Sequence, residues 1–409
     1  MENSIFDVAV IGGGIVGLAS AYKIQRSYPN LKIIVFEKEE ELASHQTGHN
    51  SGVIHSGLYY KPGSYRATNC VKGRRELVTF CKENNVTHDV CGKVVAASEE
   101  WELPMLDKIF DRGIQNDIEG IEKITAEQVK EIEPHCKSIG GILVPCTGII
   151  DFVGAVNTLA ALVKGINPQS NIQTSCEYFS YVKNGDSNKI KTSKGDFKAK
   201  KIVFCGGLQS DRIAKKDDIK SDIQIVGFRG DYYELNDHAK HKIKNLIYPV
   251  PNPAFPFLGV HFTRMTNGEI ECGPNAVFTF KREGYGKTDF SLKDTAEALG
   301  YGGTWKLFAK HWKFGLDEYK RAFSKRLFLK TLQRLVPSLE MDDLRPGRAG
   351  VRAMALAKDG EIFDDFKIEA KGDCIHVLNA PSPAATACLA IGEQVKEMAE
   401  KHLNLALIV

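Results

Sequence analysis

The stretch FDVAVIGGGIVGLASAYKIQRSYPNLKIIVFEKE, residues 6–39, reads as strand, tight turn, helix and strand. Val8 to Ile11 is a short β-branched run of the kind buried on both faces of a parallel sheet. Gly12, Gly14 and Gly17 fit G-x-G-x-x-G at the strand-to-helix joint, Ile15, Leu18, Ala19 and Tyr22 follow helical spacing, and Leu31 to Phe36 forms a second strand ending at Glu37. One glycine turns the chain, one lets backbone approach a pyrophosphate and one packs helix on strand, while the helix N-terminus offers unpaired N–H groups to phosphate. Glu37 is placed to accept hydrogen bonds from a ribose, and its charge disfavours the 2′-phosphate of NADP, which leaves FAD and NAD as the favoured readings.

Working outward, "KKIVFCGGLQSDRIA" (200–214) carries another buried strand, Ile202 to Cys205, stopping at Gly206 and Gly207, and reads as a return to the nucleotide-binding unit. "CIHVLNAPSPAATACLAIGEQVKEMAEKH" (374–402) reads as a strand, a Pro/Ser turn and a helix with Leu389, Val395 and Met398 on its apolar side. Its start is expected near Ser382 to Ala385, with Ser382 as N-cap. A helix N-terminus there, aimed at a flavin's N1–C2=O edge, stabilises the reduced anionic ring, and this favours FAD over NAD.

The rest of the composition excludes more than it assigns. The 409 residues carry 54 basic against 51 acidic side chains, a net +3, so no global charge points to nucleic acid. The ten cysteines are never closer than ten residues, which rules out CxxC spacing and reads as free thiols in a reducing compartment. No run spans a bilayer, and the first strand begins at Phe6, leaving no room for a signal or transit sequence.

Eight motifs together, VIGGGIVGLASA, EKE, HQTGHNSGVIHSGLYYKPGS (45–64), FRGDYY, YPVPNPAFPFLGVHFT, GPNAV, GVRA and NAPSPAAT, resemble the L-2-hydroxyglutarate dehydrogenases, FAD enzymes of the D-amino-acid-oxidase/glycine-oxidase structural group. The resemblance runs from about Phe6 to Lys401. It implies an α/β fold, with a Rossmann-like FAD-binding domain discontinuous in sequence and a mixed-sheet substrate domain. The expected segments are 1–90, 151–220 and 345–409 for FAD, and 91–150 and 221–344 for substrate. Eukaryotic members are mitochondrial, so the resemblance implies mitochondrial placement with the presequence absent here; an untrimmed chain would be cytoplasmic.

In this group the loop after the second strand crosses the flavin, so cofactor contacts fall to Gly12, Gly14, Ile15, Gly17, Glu37, Lys38, Thr47, Gly48, Asn50, Ser51, Val94, Gly206, Gly207, Pro381, Ser382, Ala384 and Ala385. A metal reading of His45 and His49 is poor, since their four-residue spacing needs a helix where Gly48, Asn50, Ser51 and Gly52 argue for loop. The implied substrate, a dicarboxylate 2-hydroxy acid, loses hydride from C2 to flavin N5 and a proton from its hydroxyl. That chemistry calls for a base and for cations. His55 is the candidate base, with His261 as competitor. Arg352, read in a small-residue turn, is the candidate for the C1 carboxylate. Arg229 serves the distal carboxylate or pairs with Asp231, and Tyr60 and Lys61 line the entrance. The rival readings are an amine or amino-acid oxidase of the glycine/sarcosine type and a non-catalytic flavoprotein. The electron acceptor is a quinone, oxygen or another flavoprotein.

In the substrate half, 223–235 and 257–265 read as strands, with Pro249, Pro251, Pro253 and Pro256 marking a loop between them. Residues 305–337 carry nine Lys/Arg against Asp317 and Glu318, interleaved with Trp305, Phe308, Trp312, Phe314, Tyr319, Phe323 and Phe328. The segment reads either as a helix with an aromatic core face and solvated lysines, or as peripheral contact with an anionic membrane.

Overall fold

A computed structural model describes residues 5–251 and 259–405. The opening stretch forms β1 (Ile5–Ile11), α1 (Ile15–Ser27) and β2 (Ile33–Phe36), followed by β3 (Val53–Ile54), α2 (Tyr65–Glu83), β4 (His88–Asp89) and β5 (Lys93–Ala97). Next come α3 (Leu103–Gln115), β6 (Glu122–Ile124), α4 (Ala126–Ile132), β7 (Gly140–Val144), β8 (Gly148–Ile150) and α5 (Phe152–Ile166). The chain continues through β9 (Asn171–Gln173), β10 (Tyr178–Asn184), β11 (Ser187–Thr192), β12 (Gly195–Phe204), α6 (Ser210–Lys216), β13 (Ile223–Leu235) and β14 (Leu246–Pro249). It closes with β15 (His261–Arg264), β16 (Ile270–Gly273), β17 (Val277–Phe278), α7 (Leu292–Leu299), α8 (Gly302–Phe323), α9 (Lys325–Leu332), β18 (Leu344–Ala357), β19 (Lys367–Lys371), β20 (Cys374–Asn379) and α10 (Cys388–Leu403).

Among the described residues these elements build two large sheets and a small one. The first has the order β10-β11-β12-β1-β2-β9, with β20 and β19 joining at β12. Its β12, β1, β2, β9 and β20 pairings are parallel, as the βαβ unit at the amino end requires. Val8, Val10, Ile33 and Val35 are fully buried and pack with α1, α5 and α10. Helix α10 crosses α1 so closely that a Cβ at Gly392 would lie 2.8 Å from the Ala19 carbonyl.

The second sheet runs β17-β13-β16-β15-β14-β5-β7-β6, with β18 paired to β13 along most of its length. It is mixed, because β14 pairs β5 in parallel while its other neighbours are antiparallel. Strands β3, β8 and β4 form the third sheet.

Four local expectations are corrected. Helix α10 begins at Cys388, so Ser382 is not its N-cap. Pro381 and Pro383 disfavour helical backbone in the residues before them. The chain makes turns instead, with Ala384 N–H donating to Pro381 O (2.9 Å) and Ala387 N–H to Pro383 O (3.0 Å). Arg352 sits inside β18 rather than in a turn: the alanines and glycines around it keep a period-two pattern, and Phe228 faces it across the ladder. That strand belongs to the second sheet, so residues 344–357 do not join the nucleotide-binding half. Lastly, 305–337 is two helices, and α8 itself breaks at His311, whose φ/ψ of −124°/24° is not helical. Strand β15 starts at His261, while Phe257, Leu258, Pro253 and Pro256 lie outside the described residues.

The α1–α10 crossing yields a stability prediction. Gly392→Val should lower unfolding free energy by about 1–3 kcal/mol, the usual cost of overpacking. Urea denaturation at fixed FAD concentration reads it as a lowered midpoint with unchanged slope.

Candidate active site

A cavity of about 2100 Å³ opens at the carboxyl ends of the first sheet's parallel strands and is roofed by the second sheet. It is about twice the roughly 1000 Å³ upper end of ordinary small-molecule pockets, enough for a dinucleotide together with a substrate.

At one end lies the glycine turn. A Cβ at Gly12 would lie 2.3 Å from the Cys205 carbonyl oxygen, and one at Gly17 would lie 2.0 Å from the Gly12 carbonyl oxygen. Backbone therefore fills the space that side chains would take, and α1 starts directly against the cavity. The Glu37 carboxylate accepts from Gly13 N–H (2.9 Å) and Glu39 N–H (3.0 Å), which holds it at the cavity wall where a ribose would lie. Thr47 Oγ1 accepts from Ile15 N–H (3.1 Å) at the start of α1. The remaining first-turn amides have no partner within the helix, the arrangement a pyrophosphate uses. The donor set and the space at this end fit FAD.

Residues 45–55 then cross the cavity, and contacts from three sides fix them. Arg348 donates to Gly48 O (2.8 Å) and Asn50 O (2.7 Å) while pairing with Glu271 (2.6 Å). Gly350 lies so close that a Cβ would stand 2.2 Å from His49 O. His55 N–H donates to Thr386 Oγ1 (3.1 Å), which itself donates to Val53 O (3.2 Å), tying the loop to the 380–386 turn.

The far end gathers His55, His261, Arg352, Tyr60, Tyr232 and Tyr248 on the same cavity. His261 Nδ1 lies 3.2 Å from Gly259 O, and its ring stacks on Tyr248 with centroids 4.1 Å apart. Burial, then the positive charges of Lys93 and neighbouring groups, lowers His55 to about 3. Burial likewise lowers His261 to about 3, with Arg352 and Lys93 adding to it and the Gly259 carbonyl opposing it. Both rings are neutral at physiological pH. Burial also lowers Arg352 from its ordinary value, and Arg352 donates to Asn275 O (3.3 Å).

Of the residues expected to touch cofactor, Gly12, Gly14, Ile15, Gly17, Glu37, Lys38, Thr47, Asn50, Ser51, Gly206, Gly207, Pro381, Ser382, Ala384 and Ala385 line the cavity. Lys38 Nζ is engaged with Glu39, with Glu283 (3.0 Å) and with His45 (2.8 Å), so the ammonium occupies the centre of that His/Glu cluster. Tyr60 lines the inner part and Lys61 the exposed rim.

Three expectations fail on geometry. Gly48 does not line the cavity; it packs against Ala43 O, where a Cβ would stand at 2.5 Å. Val94 is buried in the second sheet's core between β14 and β7. Arg229 is held by Asp231 (2.7 Å) and by Gly286 O (2.6 Å), so its fork is consumed inside the second sheet. The pairing with Asp231 is therefore the realised one of its two readings.

Sequence reasoning missed Arg66, Lys93, Arg348 and the 176–178 strand edge. Arg66 lines the cavity, stacks 4.4 Å from the Tyr60 ring centroid, pairs with Asp364 and donates to Ser382 O (2.5 Å). Its signal was the S-x-x start at Ser64, which caps α2 and places Arg66 in the first turn. Lys93 was visible only as a lone cation heading an apolar run.

This fold and cavity define a flavin-dependent oxidoreductase. The chain belongs to the FAD dependent oxidoreductase family, matched over residues 7–398. It is 46% identical over 398 residues to the L-2-hydroxyglutarate dehydrogenase of Indibacter alkaliphilus, covering 97% of this chain and 99% of that one. It is 40% identical over 419 residues to the human mitochondrial L-2-hydroxyglutarate dehydrogenase, covering 99% and 90%. The fold superposes on L-alpha-glycerophosphate oxidase of Mycoplasma pneumoniae with FAD bound, at TM-score 0.78, 23% identity and coverage of 96% and 94%. One relative is named mitochondrial and the other is bacterial, so location varies with lineage rather than with fold.

Glu37→Ala removes both amide contacts at the ribose end and should weaken FAD binding about 10- to 100-fold, from about 1–3 kcal/mol of lost and orphaned hydrogen bonds. Fluorescence titration of the apoprotein measures it; unchanged affinity would remove Glu37 from the cofactor site.

Proposed function

We propose that the chain oxidises L-2-hydroxyglutarate to 2-oxoglutarate, removing two electrons and two protons. The carrying observation is that two neutral histidines, the buried His261 and the half-buried His55, line the same cavity as the dinucleotide-binding glycines together with the half-buried Arg352. When bound, FAD supplies the two-electron acceptor that takes the C2 hydrogen as hydride. Arg352 holds the C1 carboxylate by charge-assisted hydrogen bonds. His55, hung from Thr386 by its own backbone, accepts the hydroxyl proton, and His261 braces the substrate from the Tyr248 side. The 380–386 turn and the 45–55 loop exclude water from the reacting carbon.

The second reading is an amine or amino-acid oxidase, which shares the fold. The hydroxy-acid reading is favoured because relatives of 46% and 40% identity carry that name, whereas the glycine oxidase fold neighbour from Geobacillus kaustophilus is 14% identical. His55→Ala and Arg352→Ala should each lower kcat/KM for L-2-hydroxyglutarate by about 10²–10⁴, with FAD retained. Steady-state kinetics checks this, and near-normal rates in either variant would strike that residue from its role.

The acid limb offers an independent check. A group lowered to about 3 stays deprotonated down to roughly pH 4, so kcat/KM should hold level between pH 7.5 and 5.5. An ordinary histidine near 6.5 would lose about tenfold over that range.

The aromatic and basic face of α8 bears on the electron acceptor. Trp305, Trp312, Leu316 and Phe323 are exposed together with Lys306, Lys313 and Lys320, whereas Phe328 is core and Tyr319 bonds Phe278 O (2.7 Å). No helix among the described residues is long and apolar enough to cross a membrane. Peripheral docking of α8 on an anionic bilayer would place the enzyme beside a membrane quinone. Vesicles with anionic lipid should sediment the protein at low salt and release it at high salt; absence of binding at low salt ends this part of the proposal.

A further inference from the structure

Behind the far end of the cavity lies a buried ammonium that the reaction as described does not use. Lys93 heads β5, and its side chain is fully buried. Its Nζ lies 4.8 Å from the Tyr59 ring centroid and 4.7 Å from the Tyr248 ring centroid, and both tyrosines line the cavity. Among the described residues no carboxylate pairs with it: its neighbours are two aromatic faces, Cys70 on α2 and Cys146 after β7. Burial pushes both thiols above their ordinary value, so neither supplies a negative charge.

An isolated buried ammonium is costly, and two aromatic faces return only about 2 kcal/mol or somewhat more each when desolvated. Such a charge is retained where a partner arrives from outside. The groups around it are His55 and His261, both neutral, Tyr59 and Tyr248, whose hydroxyls burial holds protonated, and the two thiols. The groups next to Lys93 are thus uncharged, while Arg66, Arg74, Arg352 and Glu119 act on those same neighbours from further out, and Tyr248 stacks directly on His261 at the cavity wall. A negative charge entering the cavity would meet Lys93 through a single layer of rings, at low dielectric, where Coulombic attraction is strong.

We infer that Lys93, gripped between Tyr59 and Tyr248, is the specificity-determining cation for the second carboxylate of the substrate. This assignment rests on the proposed hydroxydicarboxylate oxidation and deepens it. Arg352 meets the carboxylate next to the reacting carbon. Lys93 makes the pocket beyond it favour a second anionic group, so a 2-hydroxy acid ending in a methyl group gains nothing there. Arg229, expected from sequence to do this, is neutralised by Asp231.

Burial lowers Lys93 to about 8. The sign of the resulting pH dependence follows from linkage. A dicarboxylate binds the protonated form, raising its pKa in the complex, so affinity is full below about pH 8 and falls as pH rises through it. A monocarboxylate held by Arg352 should show no such fall.

The test uses FAD-loaded enzyme. For Lys93→Met, which removes the charge at similar volume, kcat/KM for L-2-hydroxyglutarate should drop at least about 30-fold while that for L-2-hydroxybutyrate changes less than about 3-fold, a differential of at least about tenfold, or about 1.4 kcal/mol. In unaltered enzyme the inhibition constant of glutarate should rise about tenfold per pH unit above 8, with that of butyrate level; this arm decides the matter if Lys93→Met does not fold. An unchanged preference for the dicarboxylate in the variant, or parallel pH curves for the two inhibitors, overturns the role of Lys93 and leaves the proposed reaction standing. If unaltered enzyme oxidises neither hydroxy acid, the proposed reaction falls, and equal binding of glutarate and butyrate would then overturn the Lys93 inference as well.

Discussion

The site depends on how residues 45–55 are held. This loop has little regular structure of its own, yet it crosses the cavity and holds His55 at one place on its wall. Its fixing points come from distant parts of the chain: Thr47 on the amide of Ile15, Arg348 on the carbonyls of Gly48 and Asn50, and Thr386 on the amide of His55. The two large sheets and the C-terminal turn therefore meet at one short segment. Where Gly350 faces His49, only glycine allows the strand and loop to touch. A loop with so many backbone anchors loses little entropy when substrate arrives, which is what precise positioning of the proposed base requires.

The same packing sets the electrostatics. Sealing the far end of the cavity with Tyr59, Tyr60, Tyr232 and Tyr248 removes water from around His55 and His261, and cations sit behind them. Burial and positive charge both disfavour imidazolium, so the histidines wait in the form that accepts protons. The cost of burying the Lys93 ammonium without a carboxylate partner among the described residues is offset when an anionic substrate enters. A pocket that is electrostatically incomplete alone and balanced with its substrate discriminates by charge before shape.

What was legible in the sequence followed physical range. The β1–α1–β2 unit was plain because its determinants, the glycine spacing and the β-branched runs, all lie within one 34-residue stretch. The strand at 223–235 was legible for the same reason. The start of α10 was misplaced because Ser382 looks like a cap locally, whereas the prolines on either side of it govern the backbone. Arg352 looked like a turn residue because alanine and glycine surround it; its strand exists through pairing with β13, more than a hundred residues away. Arg229 and Arg352 are indistinguishable as sequence, and only the fold shows that Asp231 occupies the first while the second reaches the cavity. Lys93 was invisible because its environment is two tyrosines brought together from separate segments.

The most direct test of the account is an anaerobic titration of the purified, FAD-loaded protein, following the flavin absorption band and the keto acid released. The account predicts that one equivalent of L-2-hydroxyglutarate bleaches one equivalent of FAD and yields one of 2-oxoglutarate, with the D enantiomer and glycine inert. Bleaching by glycine or sarcosine while L-2-hydroxyglutarate leaves the yellow spectrum intact would contradict it.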